Sequence, residues 1–235
     1  MNKEEDVLLI DFILRSADQA PEALIESLLS AGINGVVYDV NDTALSEAVI
    51  SSDLTGYQAS VFIDDGAALF ALSESPAVMS GNDLETWSSQ AKAAGAIVVA
   101  SHPYDRSQGR PWGDRVYRIA GLTHVVATST ERSRDQLALT VAKKRNLGTI
   151  AASISNAEAR GLAATVLKTE GQERADLIQA LATNSTVCIR MESASSPYVE
   201  PIEPSPQRAS RPRDGGRGND RRDRGRNQRR DSGRR

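Results

Sequence analysis

The amino-acid sequence predicts an α/β fold in which a largely parallel sheet, open or closed into a barrel, is covered by helices. Three observations carry that prediction. Short apolar runs rich in Val and Ile alternate with longer segments whose apolar residues recur at helical spacing. The short runs are near-continuously apolar, as strands buried on both faces must be. The alternation holds to about residue 191 and stops from Ser193 onward.

Residues 7–14 form the first run, interrupted only by Asp11. Pro21 then suits a helix start, with Leu24, Ile25, Leu28 and Leu29 on one face and Gly32 at the end. Residues 35–40 make a second strand, and Asp42 and Thr43 can cap a helix carrying Leu45, Ala48 and Val49. Residues 59–63 and 68–72 flank Asp64, Asp65, Gly66 and Ala67, the composition of a hairpin turn, so an antiparallel pair interrupts the alternation. A helix over 83–94 and strands over 96–100 and 123–128 follow. The helix over 131–147 has Ser129 or Thr130 as a cap, and Lys143, Lys144 and Arg145 complement its C-terminal dipole. Strands over 149–153 and 163–167, a helix over 173–183 grouping Leu177, Ile178 and Leu181, and a strand over 186–191 complete the pattern. Right-handed crossovers in such a fold bring the loops after the strands to one rim.

The chain divides into a domain over 1–192, a Ser/Pro-rich linker over 193–206 and a tail over 207–235. From Arg211 the tail has no apolar residues with which to form a core, and it is expected to be disordered when free. The formal net charge of −3 conceals two opposed parts: +8 over the tail, from 12 Arg and 4 Asp, and −11 upstream. The single cysteine, Cys188, lies in an apolar run and reads as a small buried hydrophobe. The N-terminus lacks the basic-then-apolar order of a secretory signal, and no apolar run approaches the roughly 20 residues of a membrane span. These features predict a cytoplasmic protein with no membrane partner.

The run Ala94-Gly95-Ala96-Ile97-Val98-Val99-Ala100-Ser101-His102-Pro103 delivers a histidine to a loop held by proline. With the order of elements around it, this run resembles the polymerase and histidinol phosphatase (PHP) family of metal-dependent phosphoesterases, over about residues 7–191. The resemblance implies a distorted seven-stranded (β/α) barrel carrying two or three metal ions on its C-terminal rim, held by ligands in short motifs at strand ends. In place of the family's opening Asp-Leu-His-x-His-Thr the chain has Asp11-Phe12-Ile13-Leu14-Arg15-Ser16, with Ile13 and Arg15 at the histidine positions. Asn41 stands for the histidine of the second motif, Phe62 for a bridging carboxylate, and Val126 lies where a later glutamate or cysteine ligand is found. The closing Gly-Ser-Asp-Ala-His becomes Ala152-Ser153-Ile154-Ser155-Asn156, with Ile154 for aspartate and Asn156 for histidine. Only His102 remains. A hydrolytic metal needs three or four ligands of suitable softness, so the resemblance implies a pseudoenzyme with no metal or other cofactor.

Other candidates have plainer readings beside their functional ones. His102 could act as a lone base or simply brace a strand end. Asp105 and Arg106 could join Arg15 and Asn41 in a polar rim pocket or be solvated. His124 reads as a surface or partly buried histidine. Trp112, beside Arg110 and Arg115, could stack on a base or pack over a helix. Asp64 and Asp65 could hold a divalent ion, but in a turn they more simply bend the chain.

The tail carries the remaining functional signal. Arg211, Arg213, Arg217, Arg221, Arg222, Arg224, Arg226, Arg229 and Arg230 offer guanidinium groups that bind phosphates and stack on bases, interleaved with glycines that keep the chain flexible. The expectation is a non-catalytic PHP-like protein associated with RNA through this tail. A ligand-poor barrel subunit of archaeal and eukaryotic ribonuclease P gives that a precedent. The alternatives are a residual phosphoesterase using loop carboxylates, and a regulatory module whose cationic tail meets an acidic protein.

Overall fold

In the first strand Leu8, Ile10 and Phe12 turn toward one apolar cluster while Leu9 and Ile13 turn toward another, so both faces are covered from the outset. A computed structural model describes residues 6–65, 67–76, 78–101, 103–104, 111–128, 132–153, 163–183, 186–191 and 199–201. The elements run β1 (Asp6–Phe12), α1 (Pro21–Ser30), β2 (Gly35–Asp39), α2 (Thr43–Ile50), β3 (Thr55–Asp64), β4 (Ala67–Leu72), α3 (Leu84–Ala93), β5 (Ile97–Ala100), a 3-10 turn (Gly113–Arg118), β6 (Leu122–Thr128), α4 (Arg132–Arg145), β7 (Gly148–Ala151), β8 (Ala163–Thr169), α5 (Arg174–Ala182), β9 (Thr186–Met191) and β10 (Val199–Pro201).

One sheet contains all ten described strands, in the order β10-β9-β8-β1-β2-β3-β4-β5-β6-β7. The expectation of seven strands is corrected: nine have four residues or more, and β10 has three. The surplus is antiparallel. β4 returns along β3, β8 runs against β1, and β10 runs against β9, leaving the other seven strands co-directional. β10 lies within the segment read as linker, where Val199 and Pro201 pair with Met191 and Ile189. β3 begins at Thr55, well before the strand read from residue 59, because its first half is polar.

The sheet curls until its β7 side meets β8 and β9. No ladder joins them among the described residues; side chains do so instead. Thr165 Oγ1 accepts from Ala151 N and donates to Ala151 O, both at 2.9 Å, and Thr186 Oγ1 donates to Thr149 O at 3.1 Å. Inside are Leu8, Ile10, Phe12, Val37, Tyr57, Phe70, Val99, Val126, Ile150 and Leu167, with Phe12 and Phe70 edge to face at 5.7 Å.

Outside, α1 and α2 cover one stretch of sheet, and α3, α4 and the 3-10 turn cover another. Pro21 at the first helical position and Asp42, whose carboxylate accepts from Leu45 N, start α1 and α2 as their residue types predict. The predicted caps of α4, Ser129 and Thr130, lie outside the described residues. α5 differs from its fellows: Leu177, Ala180 and Leu181 enter the interior cluster, so this helix closes the barrel at the end opposite the rim. No helix of the described residues is long and apolar enough to cross a membrane.

Candidate functional site

The rim is formed where β1, β2, β3, β5, β6 and β7 end. Alternation along each strand decides which side chains face inward there. Leu14, Val61, Val126 and Ala152 pack with the interior cluster, together with Phe12 and Ala68. Apolar groups therefore line much of the inner mouth, with Asp39 following Val37 on the same face at the end of β2. Ile13 turns the other way, into the layer beneath α1 and α2, with its backbone N–H bonded to Val37 O at 2.9 Å. Phe62 also points outward, against Trp87 with ring centroids 5.7 Å apart. Of the sequence-derived rim positions, Val126 faces the interior, whereas Ile13 and Phe62 belong to the helix layers. His102, Ile154 and Asn156 lie outside the described residues, as do Asp105, Arg106 and the tail arginines from Arg211 to Arg230.

Arg15 and Asn41 come to neighbouring loops, each with a separate partner. Arg15 forks onto Asp42, Nε to Oδ2 and Nη2 to Oδ1, both at 2.8 Å, and Nη1 donates to Gln19 O at 2.9 Å. The hydrogen bond to Asp42 raises the Arg15 pKa, against the opposing effect of burial. Burial alone would push Asp42 up, but hydrogen bonds from Arg15 and Leu45 N and the guanidinium charge outweigh it and hold the carboxylate below its ordinary range. Asn41 donates through both its backbone N–H and its side-chain amide to Asp39 Oδ1, at 3.0 Å each.

Asp11 is the rim residue that sequence reasoning passed over. It is fully buried, and Oδ1 accepts from Ser153 N at 2.7 Å while Oδ2 accepts from Ser153 Oγ, joining the ends of β1 and β7. The signal was present as the single carboxylate in an apolar run.

The flanks of His102 are held firmly. Ser101 N donates to Ala68 O at 2.9 Å and Ser101 Oγ accepts from Ala68 N at 2.9 Å. Trp112 Nε1 also reaches Ala68 O, at 3.1 Å, and Gly113 N reaches Pro103 O at 2.7 Å. Trp112 is thus core and not a stacking platform: 1% of it is exposed. Arg115 lies over its ring at 5.0 Å and pairs with Asp64, which disposes of that aspartate, while Asp65 takes a left-handed φ of 51° in the turn. His124 is also more buried than its sequence setting suggests, with Nε2 3.1 Å from Leu181 O and Nδ1 3.0 Å from Thr123 Oγ1. Cys188 is only half-buried, its Sγ 3.9 Å from Thr149 Oγ1.

A di- or trinuclear hydrolytic centre needs carboxylates and imidazoles converging on one point. The described residues do not fit it: no three His, Cys, Asp or Glu side chains group together among them.

No family model and no curated protein matches the sequence. Solved structures do match. One is a two-domain protein containing a predicted PHP-like metal-dependent phosphoesterase from Bacteroides vulgatus ATCC 8482, with a TM-score of 0.58 and 14% identity over 78% of this chain. This chain spans 65% of the length of that protein. Another is PsfC from Pseudomonas syringae PB-5123, with a TM-score of 0.55, 10% identity, and coverage of 80% of this chain and 93% of that one. At such identities the likeness is one of fold: the barrel is PHP-like.

Proposed function

We propose that this protein is a PHP-like domain that works without a hydrolytic metal centre and associates with RNA through its arginine-rich tail. The observation that carries the first half is the apolar packing at the mouth. Leu14, Val61, Val126 and Ala152 pack inward where strand ends of such a barrel would present ligands, and the rim cation Arg15 is engaged by Asp42. A guanidinium fixed by a carboxylate balances the charge of this stretch of rim without a metal. His102 alone supplies one ligand, too few to hold and activate a water-bearing ion.

The second half rests on composition. The domain is acidic and would repel a polyanion, so recognition falls to the tail, where 12 arginines outnumber 4 aspartates and five glycines lie among them. Contacts of this type are salt-sensitive and weakly selective in sequence.

The test is made on the freshly purified full chain and on a version ending at Pro206. Elemental analysis is expected to find no stoichiometric zinc, manganese or iron, and RNA binding at low salt is expected to collapse without the tail. Two or more ions per chain, with phosphatase activity lost on His102→Ala, would establish a residual phosphoesterase instead. RNA bound equally well by both versions would refute the role of the tail. Binding of an acidic protein that survives nuclease treatment, with no RNA bound, would assign the tail to a protein partner.

A further inference from the structure

A second concavity opens at the end of the barrel opposite the rim. It has a volume of about 550 Å³ and is bounded by the start of β3, the outward-facing Tyr38 of β2, Ser46 and Ile50 of α2, Pro76 and the loop leading into α5. That volume lies within the ordinary range for small-molecule sites, and its few polar groups converge.

The hydrogen bonds of its lining leave donors over. Ser46 Oγ accepts from Tyr38 Oη at 3.3 Å and from Gln58 Nε2 at 3.2 Å, so its own hydrogen can point into the cleft. Gln172 accepts through Oε1 from Thr55 Oγ1 at 3.0 Å, which orients its amide group and leaves its N–H groups without an acceptor among the described residues. Tyr57 Oη is committed to Gln172 O at 3.0 Å and fixes that loop. Arg174 donates through Nε to Ser73 O at 2.6 Å, and its Nη2 is buried with no hydrogen-bond partner among the described residues. Burial accordingly lowers the Arg174 pKa, and no carboxylate offsets it through an ion pair among the described residues. Arg174 lines the cleft with no ion-pair partner among the described residues, so an anion held there would meet an uncompensated guanidinium charge.

We infer that this cleft binds a small organic carboxylate, held by Arg174, Ser46 and Gln172, with Ile50 and Pro76 at its edge to receive an apolar portion. A single negative charge suits the lining better than a doubly charged phosphate, because the exposed Glu173 adjoins Arg174. The site is independent of the rim and of the tail.

The experiment is a titration of the 15N-labelled full chain with benzoate, with inorganic phosphate and sodium chloride at matched ionic strength for comparison. Saturable shifts are expected at the Ser46 amide and the Gln58 and Gln172 side-chain amides, with benzoate stronger than phosphate. Arg174→Gln is expected to weaken benzoate about tenfold or more and Ser46→Ala roughly threefold, as befits a charged and a neutral hydrogen bond. Should Arg174→Gln fail to fold, Ser46→Ala and a Gln172→Ala variant carry the comparison. Shifts that are absent, that chloride reproduces, that fall only on the tail arginines, or that persist unchanged in the variants would overturn the site. Tighter binding of phosphate would overturn its assignment to a carboxylate.

Discussion

Asp11 and Ser153, 142 residues apart, close the barrel at its rim: the buried carboxylate of the first strand takes the backbone N–H and the hydroxyl of the residue just past β7. With Thr165 on Ala151 and Thr186 on Thr149, side chains perform along this seam what ladder hydrogen bonds do elsewhere in the sheet. Removing the carboxylate leaves the buried Ser153 N–H without its acceptor. Asp11→Ala should therefore cost about 2–4 kcal/mol in urea denaturation, combining two lost buried hydrogen bonds with a small cavity. Asp11→Asn keeps one carbonyl oxygen and should cost distinctly less. Equal losses for the two variants would show that the seam depends on shape alone.

The Arg15–Asp42 fork should be visible in acid. Asp42 titrates below its ordinary range when folded, so its pair contributes stability above the unfolded value of about 3.9 and loses it as the pH falls through the lower folded value. Asp42→Asn retains an oxygen for Leu45 N but not the charge. It should be less stable than the parent by about 1 kcal/mol at pH 7, and the two unfolding curves should converge as the pH drops toward 2. A difference that stays constant with pH would place the contribution in the cap instead of the ion pair.

What could be read in the sequence follows from where each partner lies. The strands of the two parallel runs were legible because burial on both faces makes them continuously apolar, and the turn at Asp64 and Asp65 was legible from its residue types. The first half of β3 was not, since Thr55, Gly56 and Gln58 look like loop residues; Thr55 and Gln58 take their bonding from Gln172 and Ser46. Trp112 reads as a loop aromatic until its indole N–H is seen to reach Ala68 O across the fold. Leu177 and Leu181 mark α5 as amphipathic, but nothing local says that its apolar face plugs a barrel. At the rim, which way each side chain faces could not be read from residue type. Ile13 and Phe62 sit one position out of phase with Phe12 and Val61, which turn inward. A one-residue slip exchanges the two faces of a strand.

Tyr57 predicts the alkaline limb. Burial, with the nearby charges of Asp176 and Glu173, pushes its phenol up to about 12 in the folded chain. The unfolded value is about 10, so the neutral form stabilises the fold below pH 10 and that contribution drains away as the pH rises toward 12. Tyr57→Phe loses the bond to Gln172 O and should be less stable at neutral pH. Its stability should nonetheless fall more gently than that of the parent above pH 10. Parallel slopes in denaturant melts across that range would contradict the assignment.

The tail can be tested for more than its charge. If all eight net positive charges of residues 207–235 neutralise single-strand phosphates, log affinity falls with log salt at a slope near −5 to −6, an upper limit. Replacing Arg211, Arg213, Arg217, Arg221, Arg222, Arg224, Arg226, Arg229 and Arg230 with lysine leaves that charge and should leave the slope nearly unchanged. The affinity at any one salt concentration should still drop, by roughly tenfold, because an ammonium neither forks onto a phosphate nor stacks on a base. Glutamine at the same positions should flatten the slope and abolish binding together. Filter binding of a single-stranded RNA between 50 and 300 mM salt separates the cases. Lysine and arginine tails of equal affinity would reduce the tail to a simple polycation, and a slope unaffected by glutamine would move the RNA contacts off the tail.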